Sequence, residues 1–382
     1  MGKFHSRERE GDGMITISLC MIVRDEEETL GRVLDGVKDI VDEIIIADTG
    51  SVDRTKEIAA AYEQCRIVDF EWIDDFAAAR NFSFSQAGMD YILWLDADDW
   101  LREEDRQGLL RLKKTLDPSY ERVTMPYNLA YDSAGNAVSS LRRNRLVRRD
   151  RGFKWIGPVH EYLEAWGKAL DSDVCVSHGK EKEYSDRNLR IYRNRQQAGE
   201  DFSIRDLYYF ANELKDHAFY DEAALYYEQM LRTGQGWIED NIQACLKLAD
   251  CYGQMGHKDL QLQAALRSLC YDKPRPESSC AIGNGLFERE QYEAALYWYG
   301  LAVALEPPVT MGIINRTAST WYPHLQMCLC LDRLGRFREA FEHNEHALAF
   351  HPDHPSMLHN REYFRSSHGM VPDAGVTAAV KD

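Results

Sequence analysis

Apolar residues fall along this chain in two different rhythms, and the change between them divides it. From Ile15 to about His178, near-continuous apolar runs alternate with amphipathic stretches. ITISLCMIV, VDEIIIAD, RIVDFEW and DYILWLDAD read as strands, the most apolar of them buried on both faces. Between the first two, ETLGRVLDGVKDI sets Leu30, Val33, Leu34 and Val37 at helical spacing. DRTKEIAAAYEQ is the next helix, with Asp53 placed to cap it. This alternation predicts a mostly parallel sheet covered by helices. Ligands in such folds sit at the carboxyl ends of the strands, so the polar residues closing each run are the candidates for chemistry.

From about Asp201 the pattern is helical only, and it repeats. YFANELKDHAFYDEAALYYEQML, AIGNGLFEREQYEAALYWYGLAVALEP and MCLCLDRLGRFREAFEHNEHALAFHP can be laid over one another. Each has a small residue in its first helix (Ala211, Gly283, Cys328), then an aromatic (Tyr220, Tyr292, Phe337) three positions before an alanine (Ala223, Ala295, Ala340). A weaker copy runs through LADCYGQMGHKDLQLQAALRSL, and an insertion around Pro308 to Trp321 breaks the period. This is the tetratricopeptide pattern, in which small and large residues pack paired helices in units of about 34 residues.

Composition narrows the partners. With 46 Lys+Arg against 63 Asp+Glu the formal net charge is -17, a field that repels nucleic acid and anionic membrane. Any anionic ligand needs a local reversal of sign, from basic side chains or a metal. Nine cysteines show no C-x-x-C pair. Cys20, Cys175, Cys245 and Cys328 sit in apolar runs, as reduced buried thiols do, which points to a reducing, cytoplasmic setting. No apolar run approaches the ~18–20 residues of a membrane helix, and no signal peptide is read.

The strongest chemical signal is YILWLDADDW, where a buried strand ends in Asp96, Ala97, Asp98 and Asp99. Carboxylates two apart in an extended segment point the same way, and hard oxygen ligands suit Mg²⁺ or Mn²⁺ against a diphosphate. The first strand ends in Arg24, Asp25, Glu26 and Glu27, and the second in Asp48 before Gly50 and Ser51. DDFAAARNFS offers Arg80, a forked donor suited to phosphate. LRRNRLVRRDRGFK concentrates Arg142, Arg143, Arg145, Arg148, Arg149, Arg151 and Lys154, either an anionic site or an exposed basic edge.

In their order and spacing, CMIVRDEEETL, IIIADTGSVDRT, AAARN and LWLDADD resemble the nucleotide-sugar half of family 2 glycosyltransferases. The resemblance implies an α/β GT-A domain (the Rossmann-like nucleotide-diphospho-sugar transferase fold) followed by an all-α, TPR-like repeat domain. It implies a UDP-sugar donor, with Arg24, Glu26, Asp48, Arg80 and Asp96 around the nucleotide-sugar and Asp48 on the base or ribose. Arg145 and Arg148 join them through an R-x-x-R-like segment. It implies Mn²⁺ or Mg²⁺ on Asp98 with Asp96, and His178, from SDVCVSHGK, as the third ligand. Within FKWIGPVHEYLEAWG it implies Glu161 as general base and His160 as its neighbour. Thr49 stands where many relatives have a second Asp.

The domain order also resembles the glycocin S-glycosyltransferases of the sublancin type. That likeness implies inverting transfer of glucose or N-acetylglucosamine to a Cys, Ser or Thr of a peptide or protein, with a homodimer through the repeats as a further partner. Two alternatives stay open, namely a polysaccharide or cell-wall glycan acceptor, and an inactive repeat scaffold. The expected boundaries are a lead over 1–14, the transferase domain over 15–198, repeats over 199–355 and a C-terminal helix and tail over 356–382.

Overall fold

The computed structural model describes residues 14–132, 135–179 and 186–371, so most of the expected lead and the end of the expected tail lie outside the described residues. The chain divides into two compact units, residues 1–129 with 142–184, and residues 130–141 with 185–382.

The first unit is built on strands β1 (Ile17–Val23), β2 (Glu43–Asp48), β3 (Cys65–Asp69), β4 (Tyr91–Trp94), β5 (Asp99–Trp100), β6 (Arg122–Tyr131), β7 (Ala137–Arg148), β8 (Lys154–Ile156), β9 (Tyr162–Glu164), β10 (Ala169–Asp171) and β11 (Val176–His178). Its helices are α1 (Leu30–Val37), α2 (Thr55–Ala60), α3 (Phe76–Ser85) and α4 (Glu103–Thr115). The main sheet runs β3-β2-β1-β4-β7-β6-β11-β5, and β8 and β9 form a separate hairpin. β1 to β4 are mutually parallel, as the apolar runs predict, and their inner strands are buried throughout. Leu30, Val33, Leu34 and Val37 of α1 are all buried. Beyond β4 the sheet turns mixed, because β7 joins it antiparallel with Trp94's neighbour Leu93 opposite Leu146.

The second unit is helical, with α5 (Arg187–Gln197), α6 (Ile204–Asp216), α7 (Tyr220–Arg232), α8 (Ile238–Gln254), α9 (Lys258–Arg267), α10 (Pro276–Glu288), α11 (Tyr292–Ala304), α12 (Trp321–Arg333), α13 (Phe337–Phe350) and α14 (Pro355–His368). The transferase domain expected to end at 198 therefore gives up α5. This helix packs with the repeats: Tyr192 stacks on Phe210 at 5.4 Å, Arg193 binds Glu222 through both Nη atoms, and Arg195 pairs with Asp206 at 2.6 Å. The expected insertion carries a short strand, β12 (Ile314–Asn315), paired antiparallel with Ser139 and Ser140.

Four helix pairs, α6/α7, α8/α9, α10/α11 and α12/α13, share one turn. Ala218, Gly256, Glu290 and Gly335 each sit left-handed at φ near 60–75° two residues past the first helix. The following amide then donates back to the carbonyl five residues earlier: Phe219 to Leu214, His257 to Tyr252, Gln291 to Leu286 and Arg336 to Leu331. These are Schellman closures, and they show the repeat in the backbone itself. Ala223, Ala295 and Ala340 are fully buried at the helix crossings. At Gly283 an added Cβ would lie 2.7 Å from the Tyr299 ring, which is why a small residue is required there.

All nine cysteines are free. Burial pushes the Cys20, Cys245 and Cys328 thiols up to about 12, while Cys175, expected buried, is only partly so and rises to about 11. Among the described residues no helix is long and apolar enough to cross a membrane.

The turn geometry gives a direct test. Ala218 is exposed and left-handed, so Ala218→Gly removes a Cβ penalty at no packing cost. The expected result in urea denaturation is a gain of about 0.5–1 kcal/mol; a loss would contradict the left-handed turn.

Candidate active site

At the carboxyl ends of β1 and β2 two loops are zipped together. Asp25, left-handed at φ 53°, donates its amide to Ser51 Oγ and accepts the Val52 amide on Oδ1 at 2.8 Å. The Glu26 amide donates to Thr55 Oγ1, and Glu26 Oε2 accepts the Thr29 hydroxyl at the start of α1. Asp53 accepts the Thr55 amide and the Glu27 amide, so it fastens the facing loop, while Arg54 takes the N-cap position of α2 expected for it. Arg24 is exposed where β1 ends.

Asp48 lies at the bottom of this junction. Its Oδ1 accepts the Gly50 and Ser51 amides at 3.0 Å, a turn that Gly50 permits at φ 106°. Burial opposes its ionisation, yet hydrogen bonds from Ser51 and Gly50 and the charge of Lys56 hold the carboxyl below the usual range. Its Oδ2 is buried without a hydrogen-bond partner, an acceptor kept out of water. Thr49, in place of the Asp of many relatives, binds the Val23 carbonyl through its hydroxyl and ties β2 to β1.

The acidic segment departs from the expected extended geometry. β4 ends at Trp94, and the Asp99 amide closes a turn on the Asp96 carbonyl at 3.1 Å. Asp96 and Asp98 therefore do not point together. Asp96 Oδ1 takes Arg80 Nη2 at 2.7 Å, whereas Asp98 Oδ2 lies 3.5 Å from His178 Nδ1.

Arg80 is the centre of the site. Asp75 caps α3 by accepting the Ala78 amide, which sets the helix carrying Arg80 and Asn81. Arg80 Nε donates to Glu161 Oε1 at 2.5 Å, and its guanidinium lies 4.7 Å and 5.1 Å from the rings of Trp155 and Trp94. Burial disfavours its charge, but Asp96 and Glu161 more than compensate and keep it protonated. The same arginine lowers the Asp96 carboxyl against the effect of burial. Arg80, read as a direct phosphate donor, thus has two carboxylates on its fork. Asn81, missed in the sequence, clamps Trp155 in both directions, donating to its carbonyl and accepting its amide at 2.9 Å. Together they hold the β8–β9 hairpin, whose turn runs through Gly157 and left-handed His160 to Glu161.

A second cluster supports the turn from below. Asp99 Oδ2 pairs with Arg145 at 2.9 Å and accepts the Asp96 amide, and its Oδ1 accepts the Tyr127 hydroxyl at 2.8 Å. Burial and the charge of Asp96 raise Asp99 to about 6 against the pull of Arg145. Arg145 is wholly buried, lies 3.9 Å from the Trp94 ring and donates to the Trp94 carbonyl, so it positions the turn and does not face a ligand in solvent. Tyr127, also missed, has one proton. That proton goes to Asp99 Oδ1, and the same hydroxyl oxygen lies 3.1 Å from His178 Nδ1. Gly179 follows directly; a Cβ there would lie 2.8 Å from the Asp98 carbonyl.

Arg148 does not reach the strand end at which it was expected. Arg148 pairs with Asp150 and sits opposite Tyr91, at the far end of β4 from the acidic turn. Residues three apart on a strand cannot serve one end of a neighbour. Much of the basic run is consumed by structure: Arg142 donates to the Thr124 and Ser172 carbonyls, Arg149 to that of Met89, and Arg151 pairs with Glu121.

The donor set fits a divalent cation. Asp98, Asp99 and His178 each offer a ligand atom within 4.8 Å of the others, and Asp96 is not in that group. Both Asp99 oxygens are already engaged, which leaves Asp98 and His178 as the open pair. Four carboxylates (Asp96, Asp98, Asp99, Glu161) meet two guanidinium groups, so negative charge is in excess. That excess also shows in His178, whose pKa is raised by its hydrogen bond to Asp98 and by the charges of Asp98, Asp99 and Asp96, against burial.

The clamp predicts that Asn81→Ala leaves two buried backbone groups of Trp155 unpaired and costs about 1–3 kcal/mol in denaturant titration. An unchanged midpoint would mean that the hairpin is held without it.

Residues 18–127 match the model of glycosyl transferase family 2. A TPR repeat-containing protein of Synechococcus elongatus is 41% identical over 155 residues, 40% of this chain and 37% of that protein. The SPbeta prophage-derived glycosyltransferase SunS of Bacillus subtilis is 29% identical over 185 residues, 47% of this chain and 39% of that protein. The matched stretch thus spans about two fifths of each relative's length. Among solved structures, MamA aligns with a TM-score of 0.35 at 16% identity (42% of this chain, 84% of MamA). YrrB, titled a TPR protein with an unusual peptide-binding site, aligns at 0.37 and 16% (46% and 83%). The N-terminal part of this chain is a family 2 glycosyltransferase domain, and TPR-like helical repeats follow it.

Proposed function

We propose that the first unit transfers a hexose, glucose or N-acetylglucosamine, from a UDP-sugar to a Cys, Ser or Thr side chain of a peptide or protein, with inversion and in the cytoplasm. The observation that carries the transfer reading is the Arg80 bridge, which joins Glu161 on its hairpin to Asp96 at the end of β4, beside the Asp98–His178 pair. Asp48 Oδ2, buried and unpaired, accepts a hydrogen bond from the base or ribose. Arg24 and Glu26 flank the nucleotide from the loop after β1, and Asp96 supports it with the oxygen Arg80 leaves open. Glu161 takes the acceptor's proton on Oε2, since Oε1 is held by Arg80, and His160 stands next to it in the same turn.

Asp98 and His178 would hold Mn²⁺ or Mg²⁺, which supplies charge compensation for the diphosphate leaving group. The peptide acceptor and a homodimer through the repeats are supported by the resemblance to sublancin-type enzymes. Mass spectrometry of Cys- and Ser-containing peptides incubated with UDP-sugars tests the acceptor. A hexose mass gain on the peptide supports it, and modification of glycan alone refutes it.

Two outcomes follow for the cation. With Mn²⁺ present, Asp98→Ala lowers UDP release from UDP-sugar by about a hundredfold or more; equal rates in both proteins would remove Asp98 from the chemistry. The proton on His178 competes with metal, and its pKa lies above the ordinary imidazole value of 6.5. Mn²⁺ affinity by calorimetry therefore rises from pH 6 to pH 8, and His178→Ala flattens that rise. A pH-independent affinity in the wild type would contradict the assignment.

A further inference from the structure

The last helix pair carries a histidine cluster that sugar transfer does not use. His324 lies in the first turn of α12, and His343 and His346 lie one turn apart on the same face of α13. Each ring offers a nitrogen within 4.8 Å of the other two. His324 Nδ1 and His343 Nδ1 are 2.9 Å apart, and His346 meets His324 edge to face with ring centroids at 5.3 Å. His324 and His343 are partly buried and His346 is exposed, so the group opens to solvent on one side.

We propose that His324, His343 and His346 form a transition-metal site of the zinc class, with solvent completing the coordination. Three imidazoles are ligands for Zn²⁺, Cu²⁺ or Ni²⁺, unlike the oxygen-rich surroundings of Asp98 that suit Mg²⁺ or Mn²⁺. With Zn–N near 2.0–2.1 Å, tetrahedral geometry needs nitrogens about 3.3 Å apart. The nearest pair is already inside that spacing, and rotation of the exposed His346 ring brings in the third nitrogen. In the metal-free protein a single proton lies between the two Nδ1 atoms. On binding, the cation takes its place and the proton moves to Nε2 of the same ring. The ion would cross-link α12 to α13, so it binds the folded array and raises its melting temperature. This inference stands apart from the sugar-transfer reading.

The experiment uses the full chain carrying Asp98→Ala, which weakens the first site, titrated with Zn²⁺ by calorimetry and with Co²⁺ by visible absorption. One equivalent of Zn²⁺ and the d–d bands of tetrahedral cobalt are expected. Adding His346→Ala, at an exposed position, weakens Zn²⁺ at least tenfold and removes those bands while the metal-free melting temperature stays put. His324→Asn does the same to the metal readouts. The proposal is overturned if the Asp98→Ala protein binds no Zn²⁺, or if both histidine variants bind it as tightly as their parent.

Discussion

A guanidinium nine-tenths removed from water is stable only where acids surround it, and Arg80 meets that condition by holding Glu161 on Nε and Asp96 on Nη2. Those two carboxylates come from segments 65 residues apart, the turn after β4 and the β8–β9 hairpin. Their meeting is what makes a site of the strand ends. Removing the arginine would leave two acids facing each other at low dielectric, so the hairpin's place depends on this ion triad more than on its own three-residue strands. Trp94 and Trp155 line the guanidinium with ring faces, and Asn81 locks the Trp155 backbone, so helix α3 serves as the splint between sheet and hairpin.

A division of labour among like groups follows. Of the carboxylates in the turn, Asp99 spends both oxygens on Arg145, Tyr127 and the Asp96 amide and works as scaffold. Asp98, held by the Gly179 amide on its carbonyl, keeps its side chain toward His178. Asp48 has one oxygen fully used and one buried without a partner. Negative charge is thus in surplus where the oxygen and imidazole groups of Asp98 and His178 converge, a donor set that fits a divalent cation.

The parallel strands, α1 and the helical pairs were legible because burial of one face fixes apolar periodicity, and Leu30, Val33, Leu34 and Val37 state it outright. The strand-end logic also brought Asp48, Asp96 and Asp98 forward, whereas His178 came only from the family resemblance. What the sequence did not disclose were the consequences of tertiary pairing. Asp96 and Asp98 look alike in a line of text, and only the turn closed by the Asp99 amide separates them. Arg145 and Arg148 look equivalent in RLVR, but strand register puts one under the acidic turn and the other at the opposite end of β4. Asn81 was written beside Arg80 in the AAARN segment. Its signal was an amide in a helix, where a side chain able to satisfy both an amide and a carbonyl is worth asking about. The aromatic packing of α5 on α6 through Tyr192 leaves no trace in a short amphipathic window.

The central claim is that Arg80 and Glu161 act as one unit in the transfer site. A double-mutant cycle on kcat/KM, with Arg80→Met, Glu161→Gln and both together, measures this directly. Strong non-additivity is expected, the double variant being scarcely slower than the worse single one. Losses that simply multiply would show that the two residues work independently, and the bridge would then be a feature of packing alone.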